Sequence, residues 1–256
     1  MSLLIAKQIS KTYTASSWFQ SKKKEHSAIT NVSFVVESGM CLGILGESGA
    51  GKSTLGKIAL GLLPPDQGSI SFQGEDLYRV NRHKRKQLRR DLQVVFQDCY
   101  SAVNPRMTVK QIIEEPLRNF RRLSVSDENR TVANLLETVG LTINDMNKLP
   151  NQLSGGQLQR VNIARAIALE PKLIVLDEPV SSLDLIIQKQ ILDHLKELKE
   201  KIGLSYLFIS HDIAAVEVIS DRIAILDKGE IVETLDTSNM YACTHPASQK
   251  IIRSSL

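Results

Sequence analysis

Gly46-Glu47-Ser48-Gly49-Ala50-Gly51-Lys52-Ser53 sets glycine at its first, fourth and sixth positions and closes on a lysine and a hydroxyl. Leu42 to Leu45 before it is an apolar run of strand length, and Lys52 to Leu62 after it reads as a helix. The chain therefore has to turn sharply over Gly46 to Gly51. Glycine permits that turn, because Gly46, Gly49 and Gly51 can take positive φ and aim amide N–H groups inward, where the helix N-terminus adds partial positive charge. The spacing matches the phosphate-binding loop, GxxxxGK[ST] between a strand and a helix. Lys52 is then expected to bridge the β- and γ-phosphates of a nucleoside triphosphate. Ser53 is expected to ligate Mg²⁺ and Thr54 to touch the α- or β-phosphate.

A second signal stands at Leu173-Ile174-Val175-Leu176, a continuous apolar run of the kind expected of a parallel strand covered on both faces. Asp177 and Glu178 follow it directly, at the carboxyl edge where open α/β folds bind ligands. Asp177 can hold hydrated Mg²⁺ and Glu178 can reach an attacking water. Taken alone, paired acids after a strand often just begin a loop. His211 follows another apolar run, Tyr206-Leu207-Phe208-Ile209, and is a candidate contact for the γ-phosphate.

Leu153-Ser154-Gly155-Gly156-Gln157 lies about a hundred residues after the first glycine loop. Ser154 has N-cap chemistry, the two glycines expose backbone amides, and Gln157 to Ala168 continues as a helix. This is a second helix start able to receive an anion, although a plain capping turn explains the same residues locally.

Phosphate loop, LSGGQ and Asp177-Glu178, in this order, resemble the ATPase subunits of ABC transporters, and over nearly the whole chain the peptide and nickel import branch. The resemblance implies a P-loop NTPase (RecA-like) α/β core with a mainly parallel sheet, an antiparallel β edge and an inserted α-helical subdomain. One domain is expected over residues 1–256, with the nucleotide-binding core at about 1–97 and 164–235, the helical insertion at about 98–163 and a short tail at 236–256. By the same resemblance Tyr13 matches the aromatic that stacks on adenine, and Gln97 the glutamine that senses Mg²⁺, water and the membrane partner. Asp184 matches the D-loop and His211 the switch histidine. Lys52, Gln97, Glu178 and His211 are thus the expected catalytic group. ATP would contact Tyr13, Gly46, Glu47, Ser48, Gly49, Ala50, Gly51, Lys52, Ser53 and Thr54, and Ser53, Gln97 and Asp177 would hold Mg²⁺. Ser154, Gly155, Gly156, Gln157 and Asp184 would close over ATP bound to a second, paralogous ATPase subunit. Two membrane-spanning permease subunits and, indirectly, an extracytoplasmic solute-binding protein complete the implied assembly, with this chain peripheral on the cytoplasmic face of the inner membrane.

Composition sets limits on this reading. A chain of 256 residues with net charge +4 can bury a large core. Met1-Ser2-Leu3-Leu4 lacks a signal-peptide layout, and no apolar run approaches the ~20 residues that cross a bilayer. Cys41, Cys99 and Cys243 have neither metal-ligand nor disulfide spacing, which suits a reducing compartment. Arg79 to Arg90 is crowded with cations, but no aromatics interleave them, so a solvated helix face is expected rather than a nucleic-acid site. Trp18 to Glu25, with Lys22-Lys23-Lys24, reads as a loop between two early strands. Asp98 to Thr108 resembles the surface that receives the permease's coupling helix, with Tyr100 and Met107 lining it and Thr108 capping a helix to Glu115.

The transported solute never touches such a subunit, so cargo rests on resemblance alone. Leu185-Ile186-Ile187-Gln188 after Asp184, Ser101-Ala102-Val103-Asn104, and the short stretch beyond His245-Pro246 resemble the smaller subunit of nickel importers. Oligopeptide or dipeptide import is the alternative, and a soluble ABC ATPase outside transport is a third.

Overall fold

The computed structural model describes residues 1–15, 24–120 and 124–253. Its central element is a six-stranded sheet in the order β10-β9-β3-β8-β7-β6. β3 (Cys41–Leu45), β6 (Leu92–Val95), β7 (Leu173–Asp177), β8 (Ser205–Ser210) and β9 (Arg222–Asp227) run parallel, and β10 (Glu230–Asp236) closes the edge antiparallel to β9. The apolar runs are buried along their length because both faces of this sheet are covered. Ile174, Leu176, Tyr206 and Phe208 face one hydrophobic cluster, while Leu173, Val175, Leu207 and Ile209 face the other.

The first cluster is capped by helices α3 (Val109–Phe120), α4 (Val125–Thr138), α5 (Gly155–Ile167), α6 (Leu185–Ile202) and α7 (Ile213–Ile219). On the opposite face lie α1 (Lys52–Ala59) and a separate antiparallel sheet, order β2-β1-β4-β5. That sheet is built from β1 (Ser2–Ala15), β2 (Lys24–Glu37), β4 (Gln67–Phe72) and the two-residue β5 (Glu75–Asp76). The antiparallel part of the fold is thus a layer of its own as well as an edge strand. The architecture is the mixed α/β fold of the P-loop NTPases.

Several boundaries shift from expectation. α1 stops at Ala59 rather than Leu62, because the chain turns at Gly61, which takes φ +67°. α5 starts at Gly155, two residues before the expected Gln157. α3 begins after Thr108, whose hydroxyl accepts the Gln111 amide (3.3 Å) while the Gln111 side chain accepts the Thr108 amide (2.9 Å), a reciprocal cap. The helix then runs past Glu115 and through Pro116 to Phe120, held by buried Ile112, Ile113 and Leu117. The basic segment is helix α2 (Arg82–Asp91), capped by Asn81 and anchored by buried Leu88, with its cations largely in solvent. Residues 16–23, including Trp18, Lys22 and Lys23, lie outside the described residues. The three cysteines are free and buried. Beyond β10, helix α8 (Pro246–Arg253) packs Ile251 and Ile252 into the core.

Candidate functional site

The carboxyl ends of β3, β6, β7 and β8 bring the phosphate loop, Gln97, Asp177-Glu178 and His211 to one edge of the sheet. Between β3 and α1 the backbone takes φ +84° at Gly49 and +103° at Gly51. A Cβ on Gly51 would stand 2.3 Å from the Ala28 carbonyl oxygen, so loop and antiparallel sheet meet there backbone to backbone. Gly46, by contrast, does not take a positive φ. It has to be glycine for a different reason: a Cβ would lie 2.4 Å from the Leu226 carbonyl oxygen.

Lys52 is 5% exposed, and its Nζ donates to the carbonyls of Gly46 (2.8 Å) and Glu47 (3.0 Å). The Glu178 carboxylate lies 3.6 Å away. Burial holds the Lys52 ammonium below the usual lysine range, while Glu178 and then Asp177 pull the other way. A buried cation satisfied by its own loop's carbonyls and facing an open cleft is poised for an anion.

Glu178 takes φ +48°, an uncommon conformation for a residue with a side chain, and its amide donates to the Ile209 carbonyl (2.9 Å). Its Oε2 is 2.9 Å from His211 Nδ1; with Glu178 ionised, Nδ1 carries the shared proton. Asp177 is desolvated, and burial, reinforced by Glu178, pushes its carboxyl above the usual range against Lys52 and Lys57. Its Oδ1 is buried with no hydrogen-bond partner. An orphaned carboxylate oxygen is a fitting donor for a cation.

A cleft of about 460 Å³ unites most of the expected residues. Ser48, Gly49, Gly51, Lys52, Ser53 and Thr54 form its loop side. Tyr13, Gln97, Glu178 and His211 form the rest, with the Tyr13 hydroxyl 3.4 Å from Thr54 Oγ1. Two lining residues escaped sequence reasoning, His26 and Ala28. His26 is the cross-strand partner of Tyr13, so the only signal for it was the β1–β2 register. Glu47 contributes its backbone beside Lys52 but turns its carboxylate away, to Lys250. Ala50 is buried, its carbonyl accepting from the Gly229 amide.

The second glycine site stands apart from this cleft. Ser154 caps α5, accepting the Gln157 amide (3.2 Å) while the Gln157 side chain accepts the Ser154 amide (3.0 Å). Gly156 packs so tightly that a Cβ would lie 2.6 Å from Ile187 Cγ2, and Asp184 caps α6 through the Ile187 amide (3.0 Å). From the same α5, Gln159 donates to the Pro179 carbonyl (2.6 Å), Asn162 to Cys99 (3.1 Å) and Arg165 to Ala102 (2.7 Å). The helix that presents Gly155-Gly156 is therefore tied both to the chain after Glu178 and to the chain after Gln97.

The family profile for ABC transporters matches residues 29–181. The nickel import ATP-binding proteins NikE of Shigella dysenteriae serotype 1 (strain Sd197) and Escherichia coli (strain K12) are each 46% identical over 234 residues, 91% of this chain and 87% of theirs. Among solved structures, the dimeric ATP-binding cassette MJ0796 in a post-hydrolysis state, bound to ADP and Pi, is 30% identical with a TM-score of 0.82, covering 92% of this chain and 99% of that one. CbiO1 from Clostridium perfringens, part of the ABC transporter complex cbiONQ, is 25% identical with a TM-score of 0.81, covering 98% and 92%. The chain belongs to the ABC transporter family, as one of its ATPases.

Proposed function

We propose that this chain hydrolyses ATP to drive a membrane importer of nickel or a nickel chelate, from the cytoplasmic face of the membrane. One observation carries the catalytic part: Lys52, Glu178 and His211 converge within 3.6 Å contacts at the mouth of a cleft walled by a phosphate loop. Tyr13 would stack on adenine, and the amides of residues 46–54 would cradle the phosphates. Lys52 would leave its loop carbonyls for the β- and γ-phosphates, exchanging neutral acceptors for charged ones. Glu178 would take the proton of the attacking water. His211, holding the Glu178 carboxylate, would orient it and contact the γ-phosphate side. Gln97 would report occupancy to the segment that follows it.

Mg²⁺ fits this chemistry through Ser53, the unpartnered oxygen of Asp177 and Gln97. When bound, it supplies charge neutralisation for the phosphate oxygens.

Ser154, Gly155, Gly156, Gln157 and Asp184 lie outside the chain's own cleft, which suits a role over the nucleotide of a partner ATPase. Leu185 and Ile186 beside them are 80% and 72% exposed, apolar surface that a partner would cover. Asp98 to Thr108, where Tyr100 is exposed, would receive the permease, and a groove of about 850 Å³ lined by Leu62, Arg82, Arg85, Lys86, Arg89 and Phe120, near the strand that leads into Gln97, would add to that surface. Residues 98–163 would act as the helical insertion that moves with it. No helix among the described residues is long and apolar enough to cross a membrane, so attachment would come from two permease subunits.

The nickel assignment rests on the two NikE relatives. ATP turnover by the complete transporter in vesicles tests it: stimulation by binding protein loaded with nickel chelate is expected. Stimulation by peptide-loaded binding protein, with none by nickel, would overturn it.

A further inference from the structure

Helix α8 reaches back to the phosphate loop. Lys250 Nζ lies 3.0 Å from Glu47 Oε1, joining residues 203 positions apart. The helix that carries Lys250 is well fixed, since Ile251 and Ile252 are buried. Its start is set by Glu233 of β10, whose carboxylate accepts from the Thr244 amide (2.8 Å), the Thr244 hydroxyl (3.0 Å) and the His245 amide (3.2 Å). The hairpin leading to it presses on the same loop, with the Leu226 carbonyl against Gly46 and the Gly229 amide donating to Ala50 (3.0 Å). β9, β10 and α8 thus form one wall behind the phosphate cradle.

Glu47 is the discordant charge in that cradle. Its carbonyl helps hold Lys52, while its side chain is a carboxylate in a loop whose other polar groups are amides, serine hydroxyls and a lysine. An anion there opposes a polyphosphate, and a rotation inward would worsen the repulsion. Bound to Lys250, the carboxylate is turned outward and neutralised. The geometry points to Lys250 as a positioning residue for nucleotide binding that acts through Glu47. Both side chains are more than half exposed, so the pair adds little to folding stability and its effect belongs to ligand affinity. The inference rests on ATP being held by residues 46–54.

The test is titration of a fluorescent ATP analogue into the purified full-length chain, with Lys250→Ala, Lys250→Glu and Lys250→Arg, each beside Glu47 and in a Glu47→Gln background. Lys250→Ala should weaken binding about 2- to 5-fold, the span that the coupling of an exposed ion pair implies. Lys250→Glu should weaken it further, and Lys250→Arg should restore it. The loss should fade as salt rises from ~0.05 to ~0.5 M, and it should vanish in the Glu47→Gln background. An equal loss in both backgrounds would mean a merely structural helix and overturns the proposal, as does unchanged affinity. Failure of the wild-type chain to bind the analogue would instead overturn the phosphate-loop reading on which the proposal stands.

Discussion

Gly51→Ala isolates what holds the phosphate loop in shape. At φ +103° the residue lies outside every basin that an L-residue populates readily, and forcing alanine there costs about 1–3 kcal/mol. The new Cβ would also sit 2.3 Å from the Ala28 carbonyl oxygen and 2.9 Å from Ile29 Cδ1. The isoleucine tip can swing aside, but the carbonyl belongs to β2 and cannot move without its strand, adding about 1–3 kcal/mol of the kind that overpacking imposes. Loss of unfolded-state freedom returns about 0.4–1 kcal/mol. The net cost is about 1–6 kcal/mol, centred near 3, a large share of a typical domain's stability. Gly49 is the internal control. Its φ is +84°, but nothing lies within 4 Å of its missing Cβ, so Gly49→Ala should cost only the backbone part. Urea unfolding of the nucleotide-free chain measures both, with a clear fall in midpoint for Gly51→Ala, a smaller one for Gly49→Ala and the same slope. ATP affinity should fall at least ~10-fold in Gly51→Ala, the equivalent of 1.4 kcal/mol. A Gly51→Ala chain with wild-type midpoint and wild-type ATP affinity would refute the backbone account of the loop.

Gly155→Asp separates folding from assembly. Its Cβ would meet only the mobile tip of Leu183 at 3.3 Å, so stability should change by less than about 1 kcal/mol. ATP-driven association with the partner ATPase, followed by sedimentation, should be lost, and intact association would remove LSGGQ from the interface. For Asp177, burial holds the carboxyl above its usual range, so folding takes up a proton there and the nucleotide-free chain loses stability as pH rises from ~4 through that raised value. Asp177→Asn should therefore melt higher at neutral pH, with the gain vanishing near pH ~4, and should hydrolyse no ATP; a lower melting point at neutral pH would contradict the sign.

Local features were legible in the sequence because their physics is local. The glycine spacing around Lys52, the Ser154 cap, and the uninterrupted runs at β7 and β8 each specify their conformation within a few residues. What stayed hidden depends on distant contacts. The GxxxxGK[ST] spacing marks glycine at position 46, but the reason for it is a carbonyl 180 residues away at Leu226 that the spacing does not reveal. His26 enters the cleft through hairpin register, and Glu47 finds Lys250 only after the last helix docks. The passage of α3 through Pro116 follows from burial of its apolar face, which outweighs local propensity. The 2.9 Å pairing of Glu178 with His211 is likewise tertiary, although each residue stands out in the sequence by its place after an apolar strand.

Glu178→Gln tests the central claim most directly, since it keeps the shape of the side chain and removes its capacity to accept a proton. The variant, assembled with its partner ATPase, should bind ATP and remain closed as a pair while single-turnover hydrolysis falls by ~10²–10⁴, the loss expected for a positioned general base. Hydrolysis at the wild-type rate in that assembly would show that Glu178 does not activate the water, and the account of the cleft would fail with it.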